Sequence, residues 1–323
     1  MSFSINRKTV ARTAAGAAAL LFSLGALAQE FPSKPIRWVV PFSAGGPADI
    51  FARTIQPKLA EALGQPVIIE NKAGGRSNIG HSDVARSEPD GYTILYVVPN
   101  IVTNPSLFRN MVDPLKEVAP VTRITAQSYV LVANKDFAPK TVAEIIAQAK
   151  AKPGSVSCAS GGGLMTFGCE WLKTMTKADF IHVQYKGNAP AMNDLLGGQV
   201  NILFDLFNTS LPQIRADKIR PVALTGSKRG EPLPGLPTIS ETLPGFVLEG
   251  WHGVMAPVGL PRPVLDKLNR AFHTALSDPG VAKRITDSYS DVAPTTPEEF
   301  GRIIREDFAK YAQIVKEAGI KPE

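Results

Sequence analysis

Residues 36–64 read IRWVVPFSAGGPADIFARTIQPKLAEALG, and the order of signals within them decides the fold class. Ile36–Phe42 is a nearly continuous apolar run, as expected for a strand buried on both faces. Ala48–Leu63 carries helical spacing and stops at Gly64, where a left-handed residue ends a helix at low cost. Pro47 suits the first helical turn, because its missing N–H has no partner there anyway. Between strand and helix lie Phe42, Ser43, Ala44, Gly45 and Gly46. Two glycines permit a tight turn. They also let a ligand approach the start of a helix, where unpaired N–H groups and the positive end of the dipole favour an anion. Asp49 sits in the first turn, where the dipole alone favours an acid, and is read as supporting the helix.

The same alternation continues outward. Strands are expected at Val67–Glu70 and Tyr92–Val98, with a helix at Ser77–Arg86 between them. The rhythm restarts after residue 125. Strands are expected at Tyr129–Ala133, Ser155–Ala159, Phe180–Val183, Val200–Asp205 and Pro221–Thr225. Helices are expected at Thr166–Met175, Ala189–Leu196 and Ser210–Asp217, and after the capping box Thr141–Glu144. A last strand at 250–256 precedes helices at Pro263–Leu276 and Pro297–Ala318. Strands alternating with helices point to α/β blocks built on mostly parallel sheets. No Gly/Ser-rich tether separates the two blocks, so extended segments join them, which is the arrangement of a hinge.

Residues 1–28 pose a separate problem. Arg7, Lys8 and Arg12 precede the apolar run TAAGAAALLFSLGAL, and Ala26-Leu27-Ala28 forms a small-x-small cleavage site. This is the pattern of a secretory signal removed after Ala28, since the apolar run falls short of the ~20 residues that a spanning helix needs. Its removal takes three of the 35 Lys and Arg and none of the 29 Asp and Glu, which lowers the net charge from +6 to +3. No basic cluster interleaved with aromatics remains, so nucleic acid is not an expected partner. The two cysteines, Cys158 and Cys169, would meet an oxidising compartment. Spacing alone leaves open whether they pair.

Enzyme signatures are missing. There is no GxSxG, HExxH, Walker A or GxGxxG motif, and the four histidines are scattered. No catalytic residue, cofactor or metal is expected. What remains is a set of polar loops that each follow a strand, where open α/β sheets bind ligands. They are Phe42–Pro47; Pro99-Asn100 with Thr103-Asn104; Ser160-Gly161-Gly162-Gly163; and Tyr185-Lys186-Gly187-Asn188. Asp205, at the end of a buried strand, faces a ligand or caps the next helix. The candidate ligand residues are therefore Phe42, Ser43, Ala44, Gly45, Gly46, Asn100, Ser160, Gly161, Gly162, Tyr185, Lys186, Gly187 and Asp205.

Five collinear stretches resemble one family. They are PFSAGGPADIFAR (41–53), IIENKAGGRSNIG (68–80), EPDGYTILYV (88–97), HVQYKGNAPAMNDLLGGQVNILFD (182–205) and GWHGVMAPVGLPRPVLDKLN (250–269). The sequence looks like a Bug-type periplasmic solute receptor, a family associated with tripartite tricarboxylate transporters. The resemblance implies a two-lobed Venus-flytrap fold of type II without catalysis. Lobe 1 would comprise 29–126 with 250–323, lobe 2 would comprise 127–249, and the ligand cleft would lie between them. It further implies a small ligand carrying a carboxylate: a di- or tricarboxylate, an acidic amino acid or an aromatic acid, held mainly by backbone amides of the first loop. A periplasmic monomer serving the membrane subunits of a transporter is expected. A sensor feeding a membrane kinase and a periplasmic enzyme using a cysteine or histidine are the alternatives. One segment departs from the family. In SGGGLMTFGCEW (160–171), Leu164 and Met165 enter a loop that is usually rich in Ser and Thr, and Thr166 falls near the usual histidine. That points to a less polar, aromatic or amide-bearing ligand.

Overall fold

The computed structural model describes residues 31–322. The secretory reading of residues 1–28 lies outside the described residues. Ile36–Val40 forms β1, and Pro47–Leu63 forms helix α1. Every third or fourth residue of α1 (Ala48, Ala52, Ile55, Leu59, Leu63) is buried, so one apolar stripe faces the sheet. Gly64 ends the helix at φ 68°. There follow β2 (Val67–Asn71), α2 (Asn78–Ala85), β3 (Thr93–Val97), α3 (Asn100–Leu107) and β4 (Val118–Ser128). The next block holds β5 (Val130–Asn134), α4 (Val142–Ala151), β6 (Val156–Ser160), α5 (Leu164–Thr176), β7 (Phe180–Gln184) and α6 (Asn188–Leu196). It continues through β8 (Ile202–Asp205), α7 (Phe207–Arg215), β9 (Ile219–Leu224) and the single turn α8 (Ile239–Thr242). The chain closes with β10 (Glu249–Pro257), α9 (Arg262–Leu276), α10 (Pro279–Thr286), β11 (Asp291–Val292) and α11 (Pro297–Glu317).

Two sheets result. One has the order β11-β4-β10-β3-β1-β2, and the other β7-β6-β8-β5-β9. Both are mixed. β1 runs parallel to β2 and β3, whereas β10 is antiparallel to β3 and to β4. β6 runs parallel to β7 and β8, whereas β5 is antiparallel to β8 and β9. The reversed strands β5 and β10 are the first strand met after each crossing between sheets, so they enter against the direction of their neighbours. Buried aromatics fill the first sheet's core. Trp38 meets Phe272 of α9 edge to face at 5.2 Å, and each such fully buried ring is worth roughly 1.5–3 kcal/mol.

Five elements depart from the sequence reading: α8, α10 and β11 have no counterpart in it, and α3 and β4 correct it. Residues 100–107, read as a loop, form α3, a short helix with Pro105 inside it. β4 has no counterpart in the sequence reading, because Pro120 and several polar residues interrupt its pattern. Pro120 is tolerated because it pairs with Met255 at a register shift in the β4–β10 ladder, where the regular hydrogen bonds lapse.

The crossing is stiffly made. A single residue, Tyr129, separates β4 from β5. Its N–H donates to Thr225 Oγ1 (2.9 Å) and its carbonyl accepts from Thr225 N–H (3.0 Å). The Thr225 hydroxyl donates on to the Leu248 carbonyl at 2.7 Å, just before β10. Helix α11 then packs against α3 of the first block and α5 of the second. The Tyr311 ring of α11 sits 4.8 Å from Phe167 of α5, while Asp307 accepts from Trp251 Nε1 at 2.8 Å.

Candidate functional site

A cavity of about 960 Å³ opens between the elements of the two sheets. On the first-sheet side its wall begins where β1 ends, at Pro41, Phe42 and Ser43. No side chain caps α1, which starts behind Gly46 in an extended conformation with Pro47 in its first turn. The loop's own amides are partly committed. Gly45 N–H donates to Asp49 Oδ2 (2.9 Å), and Gly46 N–H donates to the Ser43 carbonyl (3.2 Å). Asp49 is 2% exposed and also accepts from Arg53 and Asn71. The bond from Arg53 holds its carboxyl below the ordinary range. Asp49 therefore fixes the loop from behind.

The turn at Gly75–Ser77 and helix α3 complete this side. Arg76 and Ser77 both adopt left-handed conformations (φ 56° and 76°), which is uncommon for residues with a side chain. α3 holds them there. Asn104 Nδ2 donates to the Arg76 carbonyl at 2.9 Å, and Asn100 Nδ2 donates to Ser77 Oγ at 2.8 Å. The Arg76 guanidinium lies 3.7 Å from the centre of the Phe108 ring.

The second-sheet side is carried by α5 and β7. Gly163 opens α5 at φ 60°, ψ −140°, a region that favours glycine. Leu164, Thr166, Phe167 and Glu170 face the cavity with His182 and Gln184 of β7. A disulfide joins Cys158 of β6 to Cys169 of α5 with their Cα atoms 5.8 Å apart, which settles the pairing that spacing left open. Three groups form a chain here. Ser160 Oγ lies 2.9 Å from His182 Nε2, and His182 Nδ1 lies 2.6 Å from Glu170 Oε1. The crossing strands supply Gln127, Tyr129, Trp251 and His252. Three lining residues carry a buried polar atom without a hydrogen-bond partner among the described residues: Asn100 Oδ1, Thr166 Oγ1 and His252 Nδ1. Such atoms cost about 1–3 kcal/mol each, and all three are closed off from solvent.

The structure distributes the expected ligand residues unevenly. Phe42, Ser43 and Asn100 line the cavity, whereas Ala44, Gly45 and Gly46 shape the loop beside it. Ser160, Gly161 and Gly162 stand one step behind, and only Gly163 of that loop reaches the wall. A Cβ on Gly161 would meet Asn188 Oδ1 at 1.9 Å, so this glycine admits the start of α6. Lys186 and Gly187 lie off the wall, and so does Tyr185. The Tyr185 hydroxyl donates to Asp194 at 2.6 Å, and burial with that partner pushes it up to about 12. Asp205 is fully buried and accepts from Asn188, Thr209 and Ser210. Burial raises its pKa against those bonds.

Several lining residues have no local signal in the sequence. Glu170 and His182 are 12 positions apart on different elements, and only the packing of α5 against β7 brings them together. Arg76 and Ser77 lie in a stretch already distinguished by Gly74-Gly75, a pair that could have marked the turn.

The tripartite tricarboxylate transporter family receptor profile matches residues 51–320. The chain belongs to that family. BugT of Bordetella pertussis is 33% identical over 303 residues, 91% of this chain and 92% of BugT. A Rhodopseudomonas palustris protein solved with adipate is 32% identical with a TM-score of 0.70, covering 91% of this chain and 100% of that one. MatC from Rhodopseudomonas palustris, solved with bound malate, is 31% identical with a TM-score of 0.66, covering 88% and 100%. The receptor family accounts for the two-lobed α/β architecture, and its members are substrate-binding proteins rather than enzymes.

Proposed function

We propose that this receptor captures a small organic carboxylate in the periplasm and presents it to the membrane subunits of a tripartite tricarboxylate transporter. The observation that carries the reading is the composition of the cavity wall. Strand-end loops of both sheets meet there, with the uncapped start of α1 beside Ser43 and the uncapped start of α5 opposite. Unpaired helix-start amides suit a carboxylate. In this reading Phe42, Ser43 and Asn100 touch the ligand. Ala44, Gly45 and Gly46 set the loop, while Ser160, Gly161, Gly162, Tyr185, Lys186, Gly187 and Asp205 frame the opposite wall. The adipate and malate held by the two relatives belong to the same ligand class. A ligand bridging both lobes would favour the closed arrangement by its differential affinity.

Titration calorimetry of the chain from residue 29 onward tests this against C4–C6 dicarboxylates, acidic amino acids and aromatic acids including nicotinate. Saturable heat with at least one acid is expected, accompanied by a rise in Tm. No heat and no thermal shift across the panel would overturn the reading.

A further inference from the structure

The Ser160–His182–Glu170 chain has the hydrogen-bond order of a hydrolytic triad, but its burial runs the wrong way for one. Ser160 is 0% exposed, so its hydroxyl cannot reach a substrate. Glu170 and His182 keep 18% and 14% of their side chains exposed and line the cavity, Glu170 also bordering a smaller pocket of about 390 Å³ beside Lys173 and Glu317. The chain therefore presents its carboxylate, not its hydroxyl, to a ligand. His182 Nδ1 occupies Glu170 Oε1 at 2.6 Å, and that bond holds the Glu170 carboxyl below its ordinary range. Oε2 accepts from no protein group among the described residues. Ser160 closes the far end and fixes the imidazole, as an outer partner fixes a ligating histidine.

We propose that Glu170, oriented by His182 and Ser160, selects ligands with a hydrogen-bond donor at the end remote from their carboxylate. The receptor would take a monocarboxylate ending in an amide, amine or hydroxyl and disfavour the matching dicarboxylate. This rests on the carboxylate reading above and narrows it. An ionised ligand carboxylate placed beside Glu170 would face a like charge in a partly desolvated wall, whereas an N–H or O–H would meet a charge-assisted acceptor. The nearby cation on α5, Lys173, lies 3.7 Å from Asp179 and adds to the lowering of the Glu170 pKa. The cavity's other charged side chains are Arg76, on the Gly75–Ser77 turn of the first-sheet side, and Lys321, just past α11, so a cation stands on the wall opposite α5. The apolar Leu164 and Phe167, both also lining the cavity, suit the linker between the two ends.

The test uses matched pairs: adipate against its monoamide, and terephthalate against its monoamide, titrated calorimetrically into wild type and Glu170→Gln. Wild type is expected to bind the monoamide of at least one pair at least tenfold more tightly than the dicarboxylate. Glu170→Gln is expected to erase or invert that ratio, with melting and far-UV dichroism as checks on folding. Equal or tighter binding of the dicarboxylates by wild type overturns the proposal and leaves the carboxylate reading standing. So does an unchanged ratio in folded Glu170→Gln. If the variant does not fold, the wild-type ratio decides alone. If no acid of these pairs or of the wider panel binds, the carboxylate reading fails and this inference fails with it.

Discussion

Replacing both cysteines by alanine tests how the second-sheet wall is held. Cys158 and Cys169 close a loop with a sequence separation of 11. Chain-entropy arithmetic for a loop of that length gives about 2.8 kcal/mol of stabilisation through the unfolded state. Both sulfurs are buried, so their loss also removes contacts in the interior, and a total of about 3 kcal/mol is expected. For a chain of about 295 residues that corresponds to a fall in Tm of roughly 5 °C. Urea unfolding and calorimetry of Cys158→Ala/Cys169→Ala against oxidised wild type measure it, with reduced wild type expected to approach the variant. A second effect follows from geometry. Cys169 lies on the helix that carries Thr166, Phe167 and Glu170 to the cavity, so ligand affinity should fall with stability. Equal stability of variant and wild type, together with no response of wild type to reductant, would refute the reasoning.

Three further outcomes are expected. Gly161→Ala should drive Asn188 off its bond to the buried Asp205, because the new Cβ would stand 1.9 Å from Asn188 Oδ1; a loss of about 2–4 kcal/mol in urea unfolding is expected, and wild-type stability would remove this glycine's packing role. Gly46→Val should leave Tm nearly unchanged, since Gly46 has an ordinary φ of −77° and its Cβ would touch only the Ser43 carbonyl at 3.2 Å. Calorimetry should show weaker ligand binding, because Ser43 must give way at the cavity wall. His81 is buried, its Nε2 has no partner, and burial lowers its pKa to about 4. Below about pH 6.5 the unfolded chain takes a proton that the folded imidazole refuses until about pH 4, so stability is lost as pH falls through that window. The loss attributable to His81 between about pH 7.5 and about pH 5.5 is about 1.3 kcal/mol, and His81→Gln should show a pH slope shallower by that amount in urea titrations.

The α/β character is legible because its signals are local. The apolar stretches at 38–40 and 202–204 and the helix spacing of 47–63 report burial directly through their periods. The capping box expected at Thr141–Glu144 forms in half: Glu144 N–H donates to Thr141 Oγ1 at 3.2 Å, whereas the Glu144 carboxylate accepts from Lys140 N–H. β4 is hidden because its partner, 249–257, lies far along the chain and excuses Pro120 through a register shift. α3 is hidden because an eight-residue helix containing Pro105 has little intrinsic tendency to form. Its stability comes from α11 packed against it and from the turn that Asn100 and Asn104 hold.

The cavity divides along the same line. The strand–glycine–helix junction at Phe42–Pro47 follows from residue types and their order, since glycine and proline shape the backbone wherever they stand. Its exit residues, Phe42 and Ser43, do line the cavity. The opposite wall depends on docking. Ser160, Gly161 and Gly162 look exposed and ligand-ready in the sequence, yet the close approach of Asn188 turns Gly161 into a packing residue. Glu170 and His182 carry no motif, yet β7 and α5 bring their side chains to 2.6 Å and turn both toward the cavity. Sequence by itself determined the strands, helices and glycine junctions whose signals are local, because those preferences act over a few neighbouring residues, and it left β4 and α3 unread. Tertiary structure decided which side chains meet across the cavity, because contacts between distant elements depend on how sheets and helices pack and leave no period in the chain.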